Sequence, residues 1–113
     1  MASELAQEGA DFFRQERNIL GWNGLYSVLT DNNTYCLTNL NEFSTDVENH
    51  VFDNLSGLCS GYNISVEQTN FKREAVVTKS SSKDEIEVEV TVSWLNDNNE
   101  VISSLTRLRL KPL

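Results

Sequence analysis

The chain has 113 residues, with 17 acidic side chains against 9 basic ones, a formal net charge of −8 with its single histidine neutral, and 39% hydrophobic residues. That length suits one domain, 1–113, with little margin for a second core. The acidic balance argues against counterion-release binding to DNA or RNA, which needs a basic face, and no apolar run reaches the roughly 18 residues of a membrane-spanning helix.

Residues 3–20 are predicted to form a helix, because Leu5, Gly9, Phe12, Phe13, Ile19 and Leu20 recur at helical spacing with no proline between them. Ser3 is the expected N-cap. Glu4, Glu8 and Asp11 come early and Arg14 and Arg17 late, the order that suits the helix dipole. Gly21 reads as the C-terminal stop. The apolar positions, with Ala6 and Ala10 included, cover about half of the helical wheel, wider than the stripe one sheet requires. Either Ala6 and Ala10 merely favour helix at exposed sites, or the arc serves a second packing partner. Glu16 falls near its centre, where a carboxyl is costly to bury alone. It is expected to have a partner or a wet edge.

Past the helix the period changes to two. Leu25–Leu29 and Thr34–Leu37 are strand candidates joined by the turn residues Asp31, Asn32 and Asn33. Residues 39–61 form a polar, variable loop region in which Val47, Val51 and Leu55, spaced by four, allow a short helix between Thr45 and Asn54. A loop that long usually needs a tether. Cys36 and Cys59 are too far apart for a CxxC redox motif and too few for a zinc site. They read either as one structural disulfide, placing the domain outside the reducing cytoplasm, or as two buried free thiols of a cytosolic protein.

The C-terminal part, about 62–110, reads as an antiparallel sheet. Tyr62, Ile64 and Val66 alternate, Phe71–Thr78 makes a further strand, and Ser80, Ser81 and Ser82 a turn. Ile86, Val88, Val90, Val92 and Trp94 then alternate with Glu85, Glu87, Glu89, Thr91 and Ser93, the pattern of a half-buried strand. Turning at Asn96–Glu100 and pairing about Asn98 sets Trp94 opposite Ile102, Val88 opposite Leu108 and Ile86 opposite Leu110. The same register sets Glu89 opposite Arg107 and Glu87 opposite Arg109, and a one-residue slip loses both sets of matches.

No residues assemble into a catalytic motif. His50 has no Ser or Cys partner and sits among solvated loop residues, and Glu85, Glu87 and Glu89 read as a soluble strand face. The turns at Asp31–Asn33 and Asn96–Glu100 offer oxygen ligands but lack the glycine and closing glutamate of a calcium loop, so they read as turn chemistry. No metal, cofactor or catalytic residue is expected.

The stretch Glu4-Leu5-Ala6-Gln7-Glu8-Gly9-Ala10, followed by Arg14, Arg17, Asn18 and Trp22, resembles the exposed second half of the long helix in minor type IV pilins and related pseudopilins. In those proteins a segment of this kind commonly runs into arginines and ends at a tryptophan. Phe71-Lys72-Arg73, with the alternating strand closing on Val92-Ser93-Trp94, is similar to the C-terminal sheet of the same family. The resemblance implies an α+β fold, a helix packed on an antiparallel sheet. It also implies a preceding peptidase site and apolar helix, absent from this sequence, that would anchor the precursor in the membrane and later form the filament core. The chain is accordingly expected to be a truncated mature subunit. The expected function is that of a structural minor subunit of a type IV pilus or pilus-like filament, at the cell surface, with other pilin or pseudopilin subunits as partners. Leu5, Phe12 and Ile19 are expected to face the domain's own sheet, leaving Ala6, Gly9, Ala10, Phe13 and Glu16 as the assembly interface. The alternative is a secreted recognition or adhesion module that binds a protein or glycan through residues 39–61.

Overall fold

The alternation over residues 86–94 becomes the centre of the fold. In the computed structural model, which describes residues 1–112, strands β4 (Ile86–Leu95) and β5 (Val101–Leu110) pair antiparallel with Trp94 opposite Ile102, Val88 opposite Leu108 and Ile86 opposite Leu110. Glu89 and Glu87 face Arg107 and Arg109, as the register requires. Arg107 Nε reaches Glu89 Oε1 at 3.1 Å. Ile86, Val88, Val90 and Val92 are fully buried, whereas Trp94, its ring 5.6 Å from that of Phe71, is only half-buried.

The remaining strands extend this hairpin on one side. β1 (Asn33–Cys36), β2 (Ile64–Val66) and β3 (Thr69–Lys79) complete a five-stranded antiparallel sheet in the order β1-β3-β4-β5, with β2 also pairing β3. The β2–β3 turn holds Glu67 at φ 48° and Gln68 at φ 71°. Two successive positive φ values match the twist of a tight hairpin, but Asn-Gly usually supplies them. Glu-Gln carries no such signal, and the sequence reading did not anticipate this hairpin.

Helix α1 (Ala2–Val28) is longer than predicted, and Met1, not Ser3, occupies its N-cap. Gly21, at φ 75° and ψ 168°, ends the first helical segment as expected, but a second segment follows it directly and runs to Val28. Leu25 and Leu29, read as strand residues, lie one helical turn apart and are both buried. Tertiary contacts support the second segment: Trp22 Nε1 donates to Lys83 O at 2.8 Å, Tyr26 donates its hydroxyl hydrogen to Ser80 O, and Lys79 Nζ stands 4.5 Å over the Tyr26 ring. The first segment packs across β3, β4 and β5. A Cβ on Gly9 would lie 3.2 Å from Val90 Cγ1 and 3.3 Å from Arg73 Cδ, so this glycine permits the close approach of helix and sheet.

The loop region 39–61 contains only one turn of helix, α2 (Phe52–Leu55), shorter than the segment from Thr45 expected, and Val47 is exposed. Phe52 is the reason the turn forms there. It is buried against Phe12, Phe13 and Tyr35, with ring centroids 5.6–5.8 Å apart. The Cys36–Cys59 disulfide is present and closes the region, and a bridge between Tyr35 and Ser56 covers the outer edge of β1.

Candidate functional site: the flank of the first helix

The residues expected to form an assembly interface point into the domain. Ala6, Ala10 and Phe13 are buried hydrophobics, Gly9 contacts the sheet, and Glu16 is fully inaccessible. Leu5 and Phe12 are both buried, Phe12 against the rings of Phe43 and Phe52, and Ile19 is exposed. The wide apolar arc is therefore explained within the chain: one part meets the sheet, and the part carrying Phe12 and Phe13 meets Phe52 of α2. The small residues serve close intramolecular packing, and this flank is not open to a neighbouring subunit in the isolated domain.

Glu16 has the partner its position demands. Ser44 donates to it twice, through its backbone N–H to Oε2 at 3.2 Å and through its hydroxyl to Oε1, while Ser44 Oγ accepts the Val51 N–H at 3.1 Å. The chain around Ser44 is thus fastened to α1 by a buried polar relay.

A second buried polar group, Arg73, is legible from its phase on the strand. Arg73 is in phase with Phe71, Ala75 and Val77 on β3, so strand geometry alone puts it on the core face. Its guanidinium donates to Leu37 O at 2.8 Å, Leu5 O at 3.0 Å and Glu8 Oε1 at 3.2 Å, joining β3 to α1 and to the residue that follows β1. Burial pushes its pKa below the ordinary value, and the Glu8 carboxylate opposes that shift.

Outside this buried seam, Glu4, Gln7, Glu8, Asp11 and Gln15 form one wall of an open groove of about 560 Å³, whose apolar residues are Phe12, Leu40 and Phe43. Phe43 is 42% exposed. Asp11 is paired on its own helix with Arg14 at 2.8 Å. His50 is less exposed than expected of a solvated loop residue: its side chain keeps 12% of its accessibility and its Nε2 lies 3.6 Å from Asp53. The oxygens considered for calcium serve their turns, with Asp31 Oδ1 accepting the Lys79 N–H and Asn96 Oδ1 accepting those of Asn98 and Glu100.

No protein-family description matches the chain, and neither a curated protein nor a solved structure is significantly similar to it. Among the described residues, no helix is long and apolar enough to cross a membrane.

Proposed function

We propose that this domain is a structural subunit of a type IV pilus or of a pilus-like secretion or DNA-uptake filament, acting by contact with other pilin or pseudopilin subunits. The supporting observation is the seating of α1, with Leu5, Phe12 and Phe13 buried and Phe71, Val88 and Val90 among the sheet residues sharing its core. That is the arrangement the resemblance implies. The assembly surface of this reading moves to the exposed polar face of α1, from Glu4 through Asp11 to Asn18. In the cell the domain stands outside the membrane, held before assembly by an apolar helix upstream.

The test is to delete the complete gene from its host, restore it with an epitope at an exposed turn, and examine sheared filaments by immunogold microscopy. Labelled filaments, together with loss of filaments or of a filament-dependent trait on deletion, are the expected outcome. A host that makes normal, unlabelled filaments with and without the gene overturns the reading.

One observation favours the recognition-module alternative: Phe43, an aromatic side chain within the 39–61 region, stands exposed beside the acidic groove. Phe43→Ala would then abolish ligand capture while leaving filaments intact.

A further inference from the structure

Several surface carboxamides are engaged by the chain itself: Asn33 donates to Ser56 Oγ at 3.0 Å, Asn49 donates to Asp46, and the Asn39 and Asn96 oxygens accept backbone N–H groups of their own turns. At one end of the sheet a group of polar side chains is not. The pairing of Phe71 with Trp94 brings the start of β3 beside the end of β4, and with it the β2–β3 turn beside the β4–β5 turn. Between them lies an open cleft of about 360 Å³, walled by Gln68, Asn70, Asp97 and Asn99, with Tyr62 and Leu95 as its large apolar surfaces. The four polar side chains are exposed and, like the Tyr62 hydroxyl, make no hydrogen bond among the described residues. Leu95 is 42% exposed, and Lys72 Nζ stands 5.2 Å over the Tyr62 ring.

We infer that this cleft is a binding site for a neutral saccharide. A carboxamide offers a donor and an acceptor side by side, which suits neighbouring sugar hydroxyls, each of them both donor and acceptor. Tyr62 and Leu95 supply apolar contact for the C–H face of a pyranose ring, and a few convergent polar groups around an apolar patch are the usual build of a small-molecule site. The volume falls at the lower end of the roughly 300–1,000 Å³ that such sites occupy. The Lys72 ammonium holds the tyrosine ring by a cation–π contact. Neutrality follows from charge: Asp97 is the one ionised group among the lining residues, and the chain carries a net −8, so an acidic sugar is repelled. Gln68 is held at φ 71°, where glycine would be unstrained, so a carboxamide stands on this wall at a cost in stability. The cleft beside the disulfide also carries asparagines, but no aromatic ring lines it, and its Asn39 and Ser56 are already engaged. The saccharide site lies apart from both the polar face of α1 and residues 39–61, and is independent of the readings proposed for them.

The experiment titrates the 113-residue chain with lactose, maltose, cellobiose and N,N′-diacetylchitobiose, and with a hyaluronan disaccharide as the acidic probe, followed by NMR of backbone and side-chain amides. An open site of this size binds weakly, so saturation is expected in the millimolar range. At least one neutral disaccharide should shift the side-chain NH₂ signals of Gln68, Asn70 and Asn99 together, and the acidic one should leave them in place. Tyr62→Ala and the fully surface-borne Asn70→Ala should each weaken that binding about tenfold with an unchanged circular dichroism spectrum, whereas Asn49→Ala should not weaken it. Absence of shifts with all the neutral sugars, shifts centred outside the cleft, tighter binding of the acidic sugar, or undiminished binding by Asn70→Ala overturns the inference.

Discussion

Glu16 on α1 and Ser44 in the loop region, 28 residues apart, form a buried pair in which both donors of the serine, its N–H and its hydroxyl, serve one carboxyl group. Removing the hydroxyl leaves that carboxyl with a single donor and the Val51 N–H without its acceptor. Ser44→Ala should destabilise the domain by about 2 kcal/mol. Urea unfolding measures the loss, and amide exchange at Val51 should accelerate in step. An unchanged exchange rate at Val51 would show that the relay does not fasten this part of the chain.

Gly9 sets the distance between α1 and the sheet. In an exposed helix Gly→Ala stabilises by up to about 1 kcal/mol, but here the added methyl meets Val90 and Arg73, both buried and anchored by the central strands. Overpacking should outweigh propensity. Gly9→Ala is expected to lower the melting temperature slightly and Gly9→Leu to destabilise by about 3 kcal/mol. A more stable Gly9→Leu protein would contradict the close approach.

The β2–β3 turn is open to improvement, because a non-glycine residue at positive φ carries backbone strain of about 1 kcal/mol. Gln68→Gly should stabilise by about 0.5 kcal/mol, the strain relief being partly offset by the greater freedom of glycine in the unfolded chain. Gln68→Val, β-branched at the same φ, should do the opposite. Thermal melts of the two variants must move in opposite directions around the wild type.

The disulfide closes a loop with a sequence separation of 23. In the chain-entropy description, replacing both cysteines by serine should cost about 3 kcal/mol. Intact-mass measurement of unreduced protein should find no free thiol, and quantitative thiol labelling of natively folded, unreduced chain would contradict the bridge.

Asp84 accepts hydrogen bonds from Ser82 Oγ at 2.6 Å and Ser80 Oγ at 3.0 Å, which hold its pKa below the ordinary 3.8. Because the folded value is depressed, the associated stability is present above the unfolded pKa and disappears as pH falls through the folded one. Carboxyl-carbon NMR titration should place the Asp84 midpoint below that of an unstructured aspartate. Ser82→Ala should move it upward, and an unmoved midpoint would remove that hydroxyl as the cause.

The β4–β5 register was legible residue by residue, since strand alternation has a period of two and the Glu-Arg matches lie on sequence neighbours across one short turn. The first α1 segment was legible for the same local reason. The disulfide was one of two readings, because spacing alone does not bring two sulfurs together. Other features depended on partners distant in sequence. Whether a second helical segment follows Gly21 turned on Trp22 and Tyr26 finding carbonyls near residue 80. Whether Ala6 and Ala10 were exposed or buried turned on how closely the sheet approaches, a distance held by Gly9 and by Arg73 reaching the carbonyls of Leu5 and Leu37. Periodicity identifies which residues share a face, because backbone geometry is local. What covers that face is decided by packing among segments that only the folded chain brings together.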